Sequence, residues 1–178
     1  MADKELTLDD IRKQVSSHKA EAMRGARIQL IIFKLGGEEY ALNIDQIKEV
    51  VLTPGIAKIP QTPSYVKGVA NIRGSIIAIV DLEEKFGLQH ENREAIIGNY
   101  TLVVESEEFK IGVLVTEVPN TLSVYENDID TSSSVIQYSN LKEDCIRGIV
   151  KSGDRMIILV DMIKMMDSED LLKVTKIK

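Results

Sequence analysis

The sequence predicts a mainly β protein made of two packed five-stranded barrels, and three observations carry that prediction. Part of the chain is written twice. Residues 65–81 and 145–161 register without a gap at an offset of 80, with Gly68/Gly148, Ile77/Ile157, Val80/Val160 and Asp81/Asp161 identical. From Arg27 onward, apolar residues recur with the period of a strand, in short runs broken by Gly- and Pro-containing turns. With no Trp and 4% aromatics, the cores have to be built from Ile, Val and Leu, and the β-branched pair suits a pleated surface. Small antiparallel sheets must close or be covered to hide their edges, and barrels do both.

The elements follow in order. Residues 1–26 read as an extension, either a short helix or a mobile tail. Thr7 and Asp10 have the spacing of a capping box, and Leu8, Ile11 and Val15 share one helical face that decays beyond Val15 into a fraying linker. Residues 28–35 form a strand, Gly36-Gly37-Glu38-Glu39 a hairpin turn and 40–44 the return. Residues 45–51 read as a helical turn or a further strand. Three of the four prolines lie between Pro54 and Pro63, which forbids a continuous element and implies an ordered surface loop leading into the first copy of the repeat.

In the second half, 100–105 and 109–115 form another hairpin. Matching Tyr40 to Phe109 and Glu49-Val50 to Glu117-Val118 gives offsets of 69 and 68, so about 12 extra residues are expected within 119–144, a polar stretch with Thr131-Ser132-Ser133-Ser134. The expected organisation is an extension, 1–26, then barrels over roughly 27–98 and 99–178. Units this small are close to the lower limit for independent folding, so the two are expected to depend on their shared interface.

Composition and charge narrow the function. A net charge of -6 argues against nucleic acid, whose binding needs basic surface. The single cysteine, Cys145, excludes an internal disulfide framework and, in an apolar run, reads as a buried thiol. No apolar run is long enough to span a membrane and the N-terminus lacks a signal sequence, so a cytoplasmic protein is expected. Asp81 and Asp161 occupy equivalent places, but each ends an apolar strand ahead of a helix-like stretch, where a carboxylate caps the helix. His18 and His90 have no metal-ligand neighbours, and neither a nucleophile elbow nor a phosphate loop is present. The Met-rich end, Met156, Met162, Met165 and Met166, offers either an adaptable binding surface or core, and the alignment of Met156 and Met162 with Ile76 and Leu82 favours core. No catalytic constellation, metal or cofactor is expected. The copies differ most at the turn, Asn71-Ile72-Arg73-Gly74 against Lys151-Ser152-Gly153-Asp154. The scaffold does not need Arg73, because its counterpart is Gly153, and arginine is enriched at protein interfaces.

The stretch 66–82, containing Asn71-Ile72-Arg73-Gly74, resembles the signature of CheW, the chemotaxis adaptor family. The resemblance continues in 33–42, Glu49-Val50, 111–115 and 153–161, and covers about residues 28–170. It implies two SH3-like barrels and a non-enzymatic adaptor, without cofactor or membrane insertion. Such an adaptor bridges the cytoplasmic tips of chemoreceptors and the regulatory domain of the histidine kinase CheA, and is recruited to membrane-associated arrays. By the family pattern, receptor-tip helices lie in an apolar groove between the barrels and Arg73, within its Asn71/Gly74 motif, belongs to receptor binding. Ile47 and Glu49 match positions of receptor or kinase coupling, and Gly112 and Val118 match the second barrel's share of that surface. Two other readings are a CheV-like relative carrying a phosphorylatable receiver, which the chain to Lys178 does not contain, and a small ligand-binding barrel. The resemblance does not account for residues 1–26.

Overall fold

The computed structural model describes residues 7–88, 99–132 and 145–166. Among them, eleven strands form two sheets, β1 (Arg27–Leu35), β2 (Glu38–Asn43), β3 (Ile47–Leu52), β4 (Val66–Ile72), β5 (Ser75–Val80), β6 (Tyr100–Glu105), β7 (Lys110–Val115), β8 (Asn120–Tyr125), β9 (Ile129–Asp130), β10 (Ile146–Ser152) and β11 (Arg155–Val160). The first barrel has the order β3-β6-β7-β5-β4 and the second β8-β1-β2-β11-β10-β9. The two orders are the same path laid twice: an edge strand, a hairpin, a parallel step, then the hairpin of the repeat. This is the expected mainly β architecture of paired SH3-like barrels, except that the second has six strands rather than five, because its closing segment pairs over the two residues of β9 where the first barrel has a single bridge. The sheets do not follow the two halves of the sequence. The β1–β2 hairpin joins the barrel that holds the second copy, and β6–β7 joins the barrel that holds the first.

Each barrel closes on its repeat glycine. In the first, Ala57 pairs with Val69 through two backbone hydrogen bonds of 2.8 and 2.9 Å. In the second, Asp130 pairs with Ile149, the counterpart of Val69. A Cβ on Gly68 would lie 2.1 Å from the Ala57 carbonyl oxygen, and one on Gly148 2.6 Å from Ile129 Cγ2 and 2.8 Å from the Asp130 carbonyl oxygen. The glycine lets the closing segment approach, which is why both copies keep it. The proline-rich loop thus contains the closing bridge of its barrel, and residues 44–51 resolve into a 3₁₀ turn (Ile44–Gln46) followed by β3.

The alternation of β1 and β2 feeds two cores. Ile31, Phe33, Tyr40 and Leu42 point into a core between the barrels with Leu102, Val104, Ile111, Val113 and Met162, whereas Leu30, Ile32 and Ala41 face the interior of the second barrel. Strands buried on both faces read as continuous apolar runs, as Leu30–Phe33 does. The largest cluster of buried residues is the one between the barrels, and each fully buried Leu, Ile or Val contributes about 1.5–3 kcal/mol. Cys145 is buried in that core.

Asp81 and Asp161 cap helices, as expected. Asp81 Oδ1 accepts from Glu84 N–H at 3.1 Å at the start of α2 (Leu82–Lys85), and Asp161 Oδ1 from Ile163 N–H at 3.0 Å at the start of α3 (Met162–Met166). Each also receives a cation from the repeat, Lys67 at 3.8 Å and Arg147 at 3.3 Å. No helix among the described residues is long and apolar enough to cross a membrane.

Several expectations are corrected. The N-terminal helix, α1 (Leu8–Met23), has the Thr7/Asp10 capping box but runs on past Val15, and it buries no residue. Met156 is 59% exposed, as its counterpart Ile76 is at 64%, because both lie on the outer face just after a hairpin turn; Met162 and Met165 are core. The hairpins align at an offset of 71 rather than 69 or 68, because Ile31↔Leu42 and Leu102↔Val113 occupy the same register, as do the pairs Ile31↔Thr121 and Leu102↔Val50. The counterpart of Glu49 is therefore Asn120, not Glu117, and the difference from the repeat offset of 80 leaves nine extra residues rather than 12. His90, Ser133 and Ser134 lie outside the described residues.

Candidate functional site

The β4–β5 hairpin turns through Arg73 and Gly74, at φ 50° and 86°, between the paired Ile72 and Ser75. Two central residues at positive φ make a type I′ turn, which matches strand twist but suits Asn and Gly rather than arginine. In the second copy, Gly153 has φ 61° and Asp154 is not in the left-handed region, so the equivalent turn is of the II′ kind. A left-handed arginine costs about 1 kcal/mol or more and persists where its surroundings hold it. Here Gly74 N–H donates to Asn71 Oδ1 at 2.9 Å, so Asn71 and Gly74 shape the turn that presents Arg73.

The Arg73 side chain is 78% exposed, and its Nε donates to Glu49 Oε2 at 2.5 Å. Glu49 stands on β3, the far edge of the sheet from β4, so the barrel's curvature brings the two edges together. An exposed ion pair of this kind contributes under about 1 kcal/mol and is easily exchanged for another partner.

On the opposite face of β3 lie Ile47, Val50 and Leu52. A bulge at Lys48 separates Ile47 from Glu49, and Ile47 packs against the core between the barrels. Val50 pairs with Leu102 and Leu52 with Tyr100, whose side chains belong to or flank that core, yet Val50 is 38% and Leu52 72% exposed. The core's apolar surface thus continues past its edge into solvent, on the face of β3 opposite Glu49. On β8 the same positions are Thr121 and Ser123, both exposed. Sequence reasoning missed Val50 and Leu52. The signal that finds them is the mismatch with β8, which is readable only once the register is known.

Arg73, Asn71, Gly74, Glu49 and Ile47 therefore cluster on one barrel. Val118 is exposed in the segment between β7 and β8. Gly112 is buried in β7, where a Cβ would lie 2.6 Å from Thr101 Cγ2 and 2.7 Å from Ile79 Cδ1, so it serves packing in the same barrel as Arg73. Neither His18, exposed on α1, nor the capping aspartates join the cluster.

Comparison with known proteins bears on the family and the fold. The CheW-like domain model matches residues 29–170. A chemotaxis protein CheW from Klebsiella aerogenes is 32% identical over 153 residues, covering 84% of this chain and 87% of the relative. One from Treponema pallidum is 28% identical over 159 residues, covering 88% and 92%. The crystal structure of the scaffolding protein TtCheW from Thermoanaerobacter tengcongensis superposes with a TM-score of 0.67 at 30% identity, over 76% of this chain and 90% of that one. The chain belongs to the CheW-like domain family.

Proposed function

We propose that this protein is a non-enzymatic scaffold of chemotaxis signalling that couples the cytoplasmic tips of chemoreceptors to the regulatory domain of the histidine kinase CheA, at membrane-associated arrays. Its family and its similarity to CheW proteins and to a CheW scaffold support the role. One observation carries the site: an arginine is held in a left-handed turn where the repeat uses glycine and pairs with Glu49 on the edge strand that also carries the exposed Val50 and Leu52. A receptor tip is helical, and a helix lays its apolar stripe on such a strip and its polar rim on a charge beside it. In this reading Ile47, Val50 and Leu52 receive the stripe and Arg73 exchanges Glu49 for a receptor acceptor. Asn71 and Gly74 position Arg73, Gly112 supports the barrel from inside, and Val118 contributes at the periphery. Each contact is modest, and clustering of receptors and kinases supplies the remaining avidity.

The test is Arg73→Glu. The variant is expected to fold, to keep its affinity for the CheA regulatory domain, and to lose at least about tenfold in affinity for a receptor-tip fragment, or about 1.4 kcal/mol. Unchanged receptor binding would remove Arg73 from the site.

A further inference from the structure

The helix α1 is capped at both ends although it buries no residue. Its first turn is closed by the Thr7/Asp10 capping box. Its other end is clamped to the second barrel. Asn127 Nδ2 donates to the Met23 carbonyl at 2.8 Å, Asn127 N–H donates to the Arg24 carbonyl at 3.1 Å, and the Arg24 guanidinium lies 5.6 Å from the centre of the Tyr125 ring. A 16-residue helix without tertiary packing is marginal in water. The two caps thus hold an arm in a helical form from which the barrels gain no buried surface.

The arm carries an apolar seam. Leu8, Ile11 and Val15 share one face and are 75%, 44% and 61% exposed. Their spacing is that of the a, d and a positions of a heptad repeat, with His18 and Ala22 at the next d and a. A seam of this spacing fits a like seam on another helix. The charges of α1 do not oppose that, because Asp9, Asp10 and Glu21 balance Arg12, Lys13 and Lys19, whereas the whole chain carries -6. They also select a direction. Arg12 and Lys19 fall at e positions, which an antiparallel pair sets against each other. A parallel pair sets them against Thr7 and Gln14 of the other copy, which are uncharged. We infer that α1 is a self-association site, which pairs in parallel with α1 of a second copy of this chain through Leu8, Ile11 and Val15. The seam is short, so the pair is weak and is populated most where copies are held close together. It lies on the extension, apart from the Arg73 surface, and does not depend on that surface's role.

Sedimentation equilibrium of the full chain tests the pairing. Over a concentration series reaching about 1 mM, the weight-average mass is expected to rise from one chain toward two. Ile11→Gln with Val15→Gln keeps good helix formers and removes the seam, so this variant should stay monomeric with its helix content and urea midpoint unchanged. Lys13→Gln, on the face away from the seam, should associate as the wild type does. In a parallel pair, Leu8→Cys brings two thiols within disulfide reach, so mild oxidation should give a covalent dimer. The wild type should give none, because Cys145 is buried. A mass that stays at one chain throughout, or association that survives in Ile11→Gln with Val15→Gln, would overturn the site. Cross-linking of Leu8→Cys only to Ala22→Cys would overturn the parallel pair. A monomeric wild type whose affinity for a receptor-tip fragment drops on Ile11→Gln with Val15→Gln would overturn self-association in favour of a receptor helix on the same seam.

Discussion

The two barrels share a strand order, a closing glycine and a capped helix with a cation on its cap, and their differences include one hairpin tip and one edge strand. The first presents Arg73-Gly74, Glu49, Val50 and Leu52 where the second has Gly153-Asp154, Asn120, Thr121 and Ser123. Positions that agree are those the scaffold needs in order to close. Where they disagree the scaffold is indifferent, so a strained arginine and an exposed apolar strip require another explanation, and the receptor contact proposed above is one.

The comparison is broken most severely at the shared glycine. Gly68 sits at φ 141°, and a Cβ there would lie 2.1 Å from the Ala57 carbonyl oxygen, whereas at Gly148, whose φ is not positive, the nearest atom is a side-chain methyl of Ile129 at 2.6 Å and the backbone clash, with the Asp130 carbonyl oxygen, is milder at 2.8 Å. Backbone cannot yield as a side chain can. Gly68→Ala is expected to cost more than about 3 kcal/mol and Gly148→Ala about 1–3 kcal/mol, read from urea unfolding. Equal, small losses would mean that closure does not depend on the glycines.

Exchanging the turns comes next. Arg73→Gly with Gly74→Asp gives the first hairpin the turn of the second. Stability should stay within about 1 kcal/mol, because the turn keeps one glycine and loses only the left-handed cost of the arginine, a gain of that order. Receptor-tip affinity should fall at least about tenfold. A large stability loss would instead make Arg73 part of the scaffold. Exchanging the edge, by Val50→Thr with Leu52→Ser, should lower receptor-tip affinity about three- to tenfold and leave unfolding unchanged within about 1 kcal/mol, since both side chains already face solvent.

The repeat, the capping aspartates, the buried Cys145 and the special standing of Arg73 were legible in the chain because each rests on local chemistry or on gapless self-comparison. Hairpin exchange between barrels was not, because β1 and β6 are both alternating apolar strands and nothing local says which sheet each will join. The 71-residue register was hidden for a related reason. Tyr40 and Phe109 look alike, and an error of two residues keeps every side chain on its own face. Met156 was misread because its counterpart Ile76 is apolar yet exposed, and apolar character alone does not fix burial. The continuation of α1 past Val15 escaped because a helix that buries nothing leaves no apolar stripe to follow.

The smallest effect tests an ion pair that only one barrel can form. Arg155 Nε and Nη2 donate to the two Glu39 carboxylate oxygens at 2.9 and 2.7 Å, joining β11 to β2. The matching positions of the first barrel are Ser75 and Lys110. The hydrogen bonds from Arg155 hold the Glu39 carboxyl below its ordinary value of 4.5, against a weaker opposing effect of burial. A carboxyl lowered in the folded state adds stability that is fully present above its unfolded value and is lost as pH falls through the folded one. Wild type should therefore be slightly more stable than Arg155→Ala at neutral pH. The gap should close as the pH drops below 4.5, while Ser75→Ala shows no such acid-dependent gap. Because both partners are on the surface, the difference is small and needs paired unfolding curves at several pH values. A gap that stays constant or widens in acid would show that Arg155 acts through packing rather than through its bond to Glu39.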